Sequence, residues 1–269
     1  MAKVGFIGAG NMGSALAKAA TLADSTKVYL YDKDEEKAAA IAKEIGADCT
    51  SAERIAKECD FIFLAVKPNI IPAVANELTE YLAARKGYTI VSMAAGISIA
   101  SLEEYFGEID APIIRIMPNT PALIGEGMML WAKNDAVTFK AAAAFEKIMA
   151  KSGTLDAIDE KLIDAASAVS GCGPAFVYMF IEALADGAVE CGLPRDKALL
   201  YAAQTLIGAA EMVKKTGKHP EALKDAVCSP GGSTIAGVHA LEEGAFRADA
   251  ANAVLAAYQK TLTLGKQSK

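Results

Sequence analysis

Glycines at positions 8, 10 and 13 follow directly on the apolar run Val4-Gly-Phe-Ile7, a spacing suited to holding a pyrophosphate. Gly8 permits a tight turn from strand to helix, Gly10 lets the backbone approach an anion, and Gly13 lets the helix pack closely on the strand behind it. The helix N-terminus then faces the phosphates. Asp32 stands nineteen residues after Gly13, where a ribose hydroxyl would be received. The residues assigned to a dinucleotide are Phe6, Ile7, Gly8, Ala9, Gly10, Asn11, Met12 and Gly13, with Asp32 and its neighbour Lys33. A glycine-rich turn alone is weak evidence, so the flanking elements have to decide.

A second constellation lies far along the chain, in Cys228-Ser-Pro-Gly-Gly-Ser-Thr234. Gly231 and Gly232 expose backbone amides, and Ser233 and Thr234 open a new helix. A helix start preceded by glycines is an anion nest, worth roughly 0.3 to 2 kcal/mol to a carboxylate from the dipole alone. Ser229, Gly231, Gly232, Ser233 and Thr234 are therefore the candidates for a carboxylate-bearing substrate. A Pro-Gly turn capped by a hydroxyl is the plainer account of the same residues.

The elements that must position these groups come in two blocks. Residues 4–7 read as a buried parallel strand, 11–23 as a helix and 27–31 as a second strand, closing a βαβ unit of about thirty residues. A helix over 34–45 with Gly46 as its C-cap, a strand over 61–66 and a helix over 70–85 follow. Further strands are expected at 89–93 and 113–117, with a short helix between them headed by the capping-box spacing Ser101-Leu-Glu-Glu104. Residues 128–132 and 154–158 add edge strands around a helix over 135–151. From Asp159 onward only helical periodicity appears, broken at 171–174, 192–194, 217–220 and 229–232. The expectation is an α/β chain, a doubly wound Rossmann-type parallel sheet over residues 1–158 followed by an all-helical domain over 159–269.

Three loops of the first block fall at carboxyl ends of strands, where a doubly wound sheet binds its ligand. They are Ala65-Val-Lys-Pro68, Ser92-Met-Ala-Ala-Gly96 and Met117-Pro-Asn-Thr-Pro121. Ala65, Val66, Lys67 and Pro68 are assigned to the cofactor, Lys67 for a phosphate or ribose. Ala95 and Gly96 permit close approach of a nicotinamide, and Asn119 offers a hydrogen bond to a carboxamide. Ordinary strand-to-helix turns account for any one of these loops equally well.

Composition narrows the partners. The 269 residues are 53% hydrophobic and carry a net charge of −6 with no run of five like charges, so neither nucleic acid nor an anionic membrane is expected. No signal peptide is read, and no stretch looks long enough to span a bilayer; the longest uncharged run, 165–181, is interrupted by Gly-Cys-Gly-Pro. The five cysteines are odd in number and widely spaced, which suggests reduced cytoplasmic thiols and neither disulfides nor a metal site. His219 and His239, the only histidines, lack a sequence partner that would mark either as a base. Segments 175–191 and 197–213 carry more apolar surface than a small bundle hides, so a partner chain is expected to cover some of it.

Taken together the motifs resemble the pyrroline-5-carboxylate reductases of proline biosynthesis, essentially from end to end. The likeness rests on the fingerprint at 6–13, the Ala-Val-Lys-Pro loop at 65–68, the Ser-x-x-Ala-Gly-Ile turn at 92–97 and the Arg-x-Met-Pro-Asn segment at 115–119. It continues through the Ser-Gly-x-Gly-Pro-Ala turn at 170–175 and, most diagnostically, through the segment 220–242. The resemblance implies hydride transfer from NADPH or NADH to the imine carbon of 1-pyrroline-5-carboxylate, with its carboxylate held around Ser229 to Thr234. It implies that the Thr234 hydroxyl, the one catalytic candidate, lies near the ring nitrogen. It also implies an intertwined helical homodimer, often assembled into a ring of five dimers.

Many members of that family use NADPH with a small polar residue or an arginine where this chain has Asp32-Lys33. Asp32 would accept ribose hydroxyls from NADH and repel a 2′-phosphate, so NADH is expected at least to be tolerated. Two rival readings share the fingerprint. A 3-hydroxy-acid dehydrogenase needs a base, a lysine just after the glycine-rich turn, yet no lysine follows Gly171 before Lys197. A non-catalytic dinucleotide sensor would not be expected to keep the 229–234 loop intact.

Overall fold

The strands of the first block are apolar on both faces, which only a sheet covered by helices on both sides can satisfy. In the computed structural model, which describes residues 1–107 and 109–267, eight strands form one sheet in the order β3-β2-β1-β4-β5-β6-β7-β8. They are β1 (Ala2–Ile7), β2 (Thr26–Tyr31), β3 (Asp48–Cys49), β4 (Phe61–Leu64), β5 (Thr89–Ser92), β6 (Ile113–Met117), β7 (Gly127–Lys133) and β8 (Gly153–Ala157). The first six are parallel, β7 runs antiparallel to β6, and β8 is parallel to β7. This is the doubly wound α/β order, whose ligand crevice opens where the winding reverses, between β1 and β4.

Helices α1 (Asn11–Thr21), α2 (Glu35–Ile45), α3 (Ala52–Glu58), α4 (Ile71–Leu82), α5 (Ile99–Phe106), α6 (Phe139–Met149) and α7 (Glu160–Ser170) cover the sheet. Alternate strand residues divide between two cores. Ile7, Ile62, Leu64, Ile90 and Ile113 pack with Ile55, Leu78, Leu102 and Ile163 of α3, α4, α5 and α7. Val4, Phe6, Phe63, Val91 and Ile114 pack on the other face with Leu16, Ala42 and Phe145 of α1, α2 and α6. The period of two along each strand thus assigns every side chain to one layer.

Several boundaries differ from expectation. β3 and α3 fall in a stretch for which no element is expected. The short helix α5 begins at Ile99 and is capped by Ser98, whose Oγ accepts from the backbone N–H of Ser101 at 3.1 Å, and not by Ser101 itself. Ile99, Leu102 and Phe106 share its buried face, which requires the earlier start.

The helices after α7 are α8 (Gly173–Glu190), α9 (Arg195–Thr216), α10 (Pro220–Ala226), α11 (Ser233–Glu243) and α12 (Phe246–Gln267). The chain divides into two compact units, Met1–Cys172 with the end of α12 from Ala257, and Gly173–Ala256. The second unit has a slight core. α8 and α9 meet around three buried alanines, Ala185, Ala198 and Ala202, while Val177, Tyr178, Met179, Leu200 and Ile207 are exposed. Phe180 packs on Phe246 with tilted rings, centroids 5.3 Å apart. Arg247 ties the start of α12 to Glu221 of α10 at 2.7 Å and to Glu242 of α11 at 2.6 Å.

One sequence expectation is corrected here. The stretch Glu160–Glu190, 31 residues spanning α7 and α8, is by length and composition apolar enough to cross a membrane. Gly171 and Cys172 break it into two helices, and Ile163 of α7 is fully buried in the core beneath the sheet.

Candidate active site

The carboxyl ends of β1, β2 and β4 are brought level by their register, in which Ile7 lies beside Tyr31 on one side and Leu64 on the other. The backbone N–H of Gly8 donates to the Tyr31 carbonyl at 2.7 Å, and that of Ala65 to the Ile7 carbonyl at 2.8 Å. These bonds place the glycine turn, Asp32 and the 65–68 loop around one crevice.

The three glycines serve different ends. Gly8 has φ of +109°, a conformation that side chains rarely adopt, and a Cβ there would overlap the Ala65 carbonyl. A Cβ on Gly13 would lie 2.5 Å from the Gly8 carbonyl oxygen and 2.8 Å from Ala65 Cβ. At Gly10 a Cβ would meet nothing within 4 Å, and its φ of −71° suits any residue. Protein packing therefore explains Gly8 and Gly13 but not Gly10, whose bare backbone fits a ligand that comes close. No side chain caps α1, so its first N–H groups are left for an anion. These features fit the pyrophosphate of a dinucleotide.

Asp32 is more committed than its sequence position suggests. One carboxylate oxygen accepts from the backbone N–H of Ala9 at 2.6 Å and the other from that of Asp34 at 3.1 Å. Partial burial pushes the Asp32 carboxyl up, but the bonds from Ala9 and Asp34, with Lys37 nearby, outweigh it and hold the group below its ordinary value. Each oxygen keeps a lone pair for a ribose hydroxyl. The Ala9 N–H is spent on this brace, leaving the N–H groups of the first turn of α1 without a side-chain partner.

A cleft of about 290 Å³ gathers Ile7, Gly8, Gly10, Asp32, Lys33, Ala65, Val66 and Lys67. Phe6 and Ala9 are buried, the Phe6 ring stacking on Phe63 at 4.4 Å, so their part is in the wall. Asn11, Met12 and Gly13 form the first turn of α1, and Pro68 starts the 3₁₀ turn after the loop. Lys37, missed in the sequence, also lines the cleft from the first turn of α2; the signal for it was a cation in the first turn of the helix that follows Asp32. A larger hollow of about 610 Å³ opens at the amino ends of β1, β4 and β5 and contains none of the candidates. A parallel sheet presents its binding loops at the other end.

The remaining cofactor candidates stand at the ends of β5 and β6, outside this cleft. Gly96 has φ of +75° and turns the 92–98 loop toward α5. Asn119 is nearly buried, its Oδ1 accepting from the Met128 N–H at 2.9 Å and its Nδ2 donating to the Ser170 carbonyl at 2.8 Å. One amide hydrogen is left for any other partner. Nearby, Arg115 is buried with side-chain exposure of 4% and pairs with Glu160 at 3.1 Å and Asp164 at 2.6 Å, both on α7.

In the second unit the backbone N–H of Gly232 donates to the Ser229 carbonyl at 3.0 Å, closing a turn in which Gly231 has φ of +69°. Gly232 is the N-cap of α11, and no side chain caps that helix. The plainer account, a hydroxyl-capped turn, is therefore not what the chain builds. A Cβ on Gly232 would overlap the Ser229 hydroxyl. Ser233 and Thr234 occupy the first turn, exposed. His219 accepts from the Glu221 N–H at 3.2 Å and caps α10, while His239 is exposed beside Glu243. Among the described residues no cluster of three or more His, Cys, Asp or Glu side chains could hold a metal ion.

Comparison with known proteins places these features in a family. Residues 160–264 match the family described as pyrroline-5-carboxylate reductase dimerisation, and residues 3–96 match NADP oxidoreductase, coenzyme F420-dependent. The chain is 41% identical to a pyrroline-5-carboxylate reductase of Arabidopsis thaliana, over 98% of this chain and 96% of that one. It is 42% identical to that of Escherichia coli strain K12, over 98% of both. The crystal structure of a Plasmodium falciparum pyrroline carboxylate reductase with NADP bound superposes with a TM-score of 0.87 at 38% identity, covering 98% of each chain. By these measures the chain belongs to the pyrroline-5-carboxylate reductase family.

Proposed function

We propose that this chain reduces 1-pyrroline-5-carboxylate to L-proline with NAD(P)H, the last step of proline biosynthesis. The observation that carries the reading is a pair of uncapped helix starts, each preceded by glycine, one in each unit. The Gly10 start of α1 suits a pyrophosphate, and the Gly232 start of α11 suits the substrate's carboxylate. Two anion sites in one chain, one in each unit, are what an enzyme bringing a dinucleotide to a small amino-acid precursor requires.

Bound NAD(P)H would supply the hydride for the imine carbon. The first turn of α1, with Lys67, would hold the phosphates, and Asp32 with Lys33 the adenosine ribose. Ala95 and Gly96 would let the nicotinamide lie close to backbone, and the remaining amide hydrogen of Asn119 would donate to its carboxamide. Ser229, Gly231, Gly232 and Ser233 would fix the substrate carboxylate. Thr234 would orient the ring nitrogen or relay its proton; a neutral hydroxyl is a poor acid, so its contribution is chiefly position. Fixing donor and acceptor carbons in contact is worth on the order of 7 to 11 kcal/mol of barrier. α8 carries no lysine or histidine, which suits imine reduction and leaves alcohol oxidation without a base.

The exposed apolar residues of α8 and α9 support a homodimer through the helical unit, and the same reading takes five such dimers as a ring. The net charge of −6 favours a small-molecule enzyme of the cytoplasm over one that binds nucleic acid or membrane. The test is consumption of NADH and, separately, NADPH with racemic pyrroline-5-carboxylate while proline formation is followed. Turnover is expected with at least one cofactor. Cofactor binding without turnover would overturn the proposal.

A further inference from the structure

The charge cluster around the buried Arg115, whose partners Glu160 and Asp164 are part-exposed, has no part in the chemistry above. Arg115 is the middle residue of β6, between Ser92 of β5 and Ala132 of β7 in the register. Its Nη1 donates to Glu160 Oε1 at 3.1 Å and its Nη2 to Asp164 Oδ1 at 2.6 Å. These carboxylates are four residues apart on α7 and share a face. Glu160 Oε1 also accepts from the backbone N–H of Ile99 at 2.6 Å, the first residue of α5. One guanidinium therefore fastens β6, the start of α7 and the start of α5.

The other end of α7 is fastened from the same strand. Asn119, just past β6, holds the Ser170 carbonyl at the last residue of α7 and the Met128 N–H of β7. The 92–98 loop thus runs into the first fixed point, at Ile99, and the 117–121 loop contains the second, at Asn119.

As a source of stability the cluster is a poor choice. Arg115 Nε is buried with no hydrogen-bond partner among the described residues, and two carboxylates face one cation. Apolar packing often stabilises such a site as well or better, whereas a bidentate cluster fixes geometry. We propose that Arg115 is a positioning residue for hydride transfer. Through Glu160 and Asp164 it sets the placement of the two loops assigned to the nicotinamide, without touching cofactor or substrate. This rests on the reductase reading given above.

The test uses the full-length enzyme and Arg115→Met, Arg115→Lys and Glu160→Met, all compared below their unfolding temperatures. ADP-ribose, which lacks the nicotinamide, reports the α1 cleft by calorimetry, and steady-state kinetics with pyrroline-5-carboxylate reports kcat and KM. Arg115→Met should bind ADP-ribose within twofold of wild type while kcat falls roughly ten- to a hundredfold, the cost of a misplacement of about 1 Å. Arg115→Lys should recover part of the loss, since one ammonium cannot hold both carboxylates in the same fork. If Arg115→Met does not fold, Glu160→Met, which removes the oxygen that accepts from both Arg115 and Ile99, should show the same kcat-selective loss. A folded Arg115→Met or Glu160→Met with wild-type kcat would overturn the proposal, as would a parallel loss of ADP-ribose binding and kcat. Wild type that binds ADP-ribose but reduces no pyrroline-5-carboxylate would instead overturn the parent reading, and this one with it.

Discussion

Substituting alanine singly at the three fingerprint glycines should separate folding from binding. At Gly8 an alanine must hold φ of +109° and overlap the Ala65 carbonyl. The first costs about 1–3 kcal/mol and the second about the same again, roughly 2–6 kcal/mol together. At about 2–4 °C per kcal/mol for a domain of this size, Tm should fall by at least about 4 °C. Gly13→Ala meets a carbonyl oxygen at 2.5 Å and should cost about 1–3 kcal/mol. Gly10→Ala meets no protein atom and keeps an allowed φ of −71°. Its poorer N-cap character and the stiffer unfolded chain roughly cancel, so stability should stay within about 1 kcal/mol of wild type. Its methyl group instead occupies the space left for pyrophosphate. An overpacked contact of about 1–3 kcal/mol there weakens cofactor binding roughly five- to a hundredfold. Calorimetric Tm and cofactor titration on the three variants check both halves. Gly10→Ala with wild-type affinity, or Gly8→Ala with wild-type Tm, would refute the division of labour.

Other outcomes follow from the same geometry. Asp32→Asn keeps an acceptor for the Ala9 N–H while removing the charge, so the NADPH to NADH ratio of kcat/KM should rise by about 1 to 2 kcal/mol, some five- to thirtyfold; an unmoved ratio would detach Asp32 from the ribose. Asp32→Ser should shift the ratio the same way but weaken both cofactors by loosening the brace. Thr234→Ala should lower kcat/KM by roughly five- to a hundredfold, the loss of one substrate hydrogen bond of about 1–3 kcal/mol, and an unchanged value would remove Thr234 from the mechanism. Burial pushes the Cys59 thiol up to about 12, so folding favours its neutral form; that contribution is complete below the ordinary thiol value and is lost as pH rises toward 12. A thiol reagent at pH 8 should therefore label the exposed Cys49 and Cys191 in the native protein and reach Cys59 only on unfolding, as peptide mass mapping would read.

The parts of the fold and site that were legible in the sequence are those where a local rule leaves little choice. The apolar runs of β1, β4, β5 and β6 can only be buried strands, and glycines at 8 and 13 mark backbone that no side chain can share. Other parts depend on partners distant in the chain. β3 is two exposed residues and carries no periodicity to detect. The true cap of α5 was hidden by a second serine three residues on, and only the buried face of Ile99, Leu102 and Phe106 separates them. Asn119 was legible as a polar residue at a strand end, but its bonds to Met128 and Ser170 reach across to β7 and α7. The Arg115 cluster joins residues 45 and 49 positions apart, a separation at which no spacing rule operates. The uncapped start of α11 sits between these cases: the glycines announced it, yet whether Ser233 or Thr234 capped it required coordinates.

The thin core of the helical unit sets how this protein should respond to dilution. Three alanines hold α8 against α9, while large apolar side chains such as Met179, 70% exposed, face outward. A layer built this way derives most of its cohesion from chain-to-chain association, so mass action governs it. Its melting temperature should climb with protein concentration, whereas the sheet, with its two interior layers, should melt at a temperature nearly independent of it. At low enough concentration the two halves would unfold in separate steps, the helical one first.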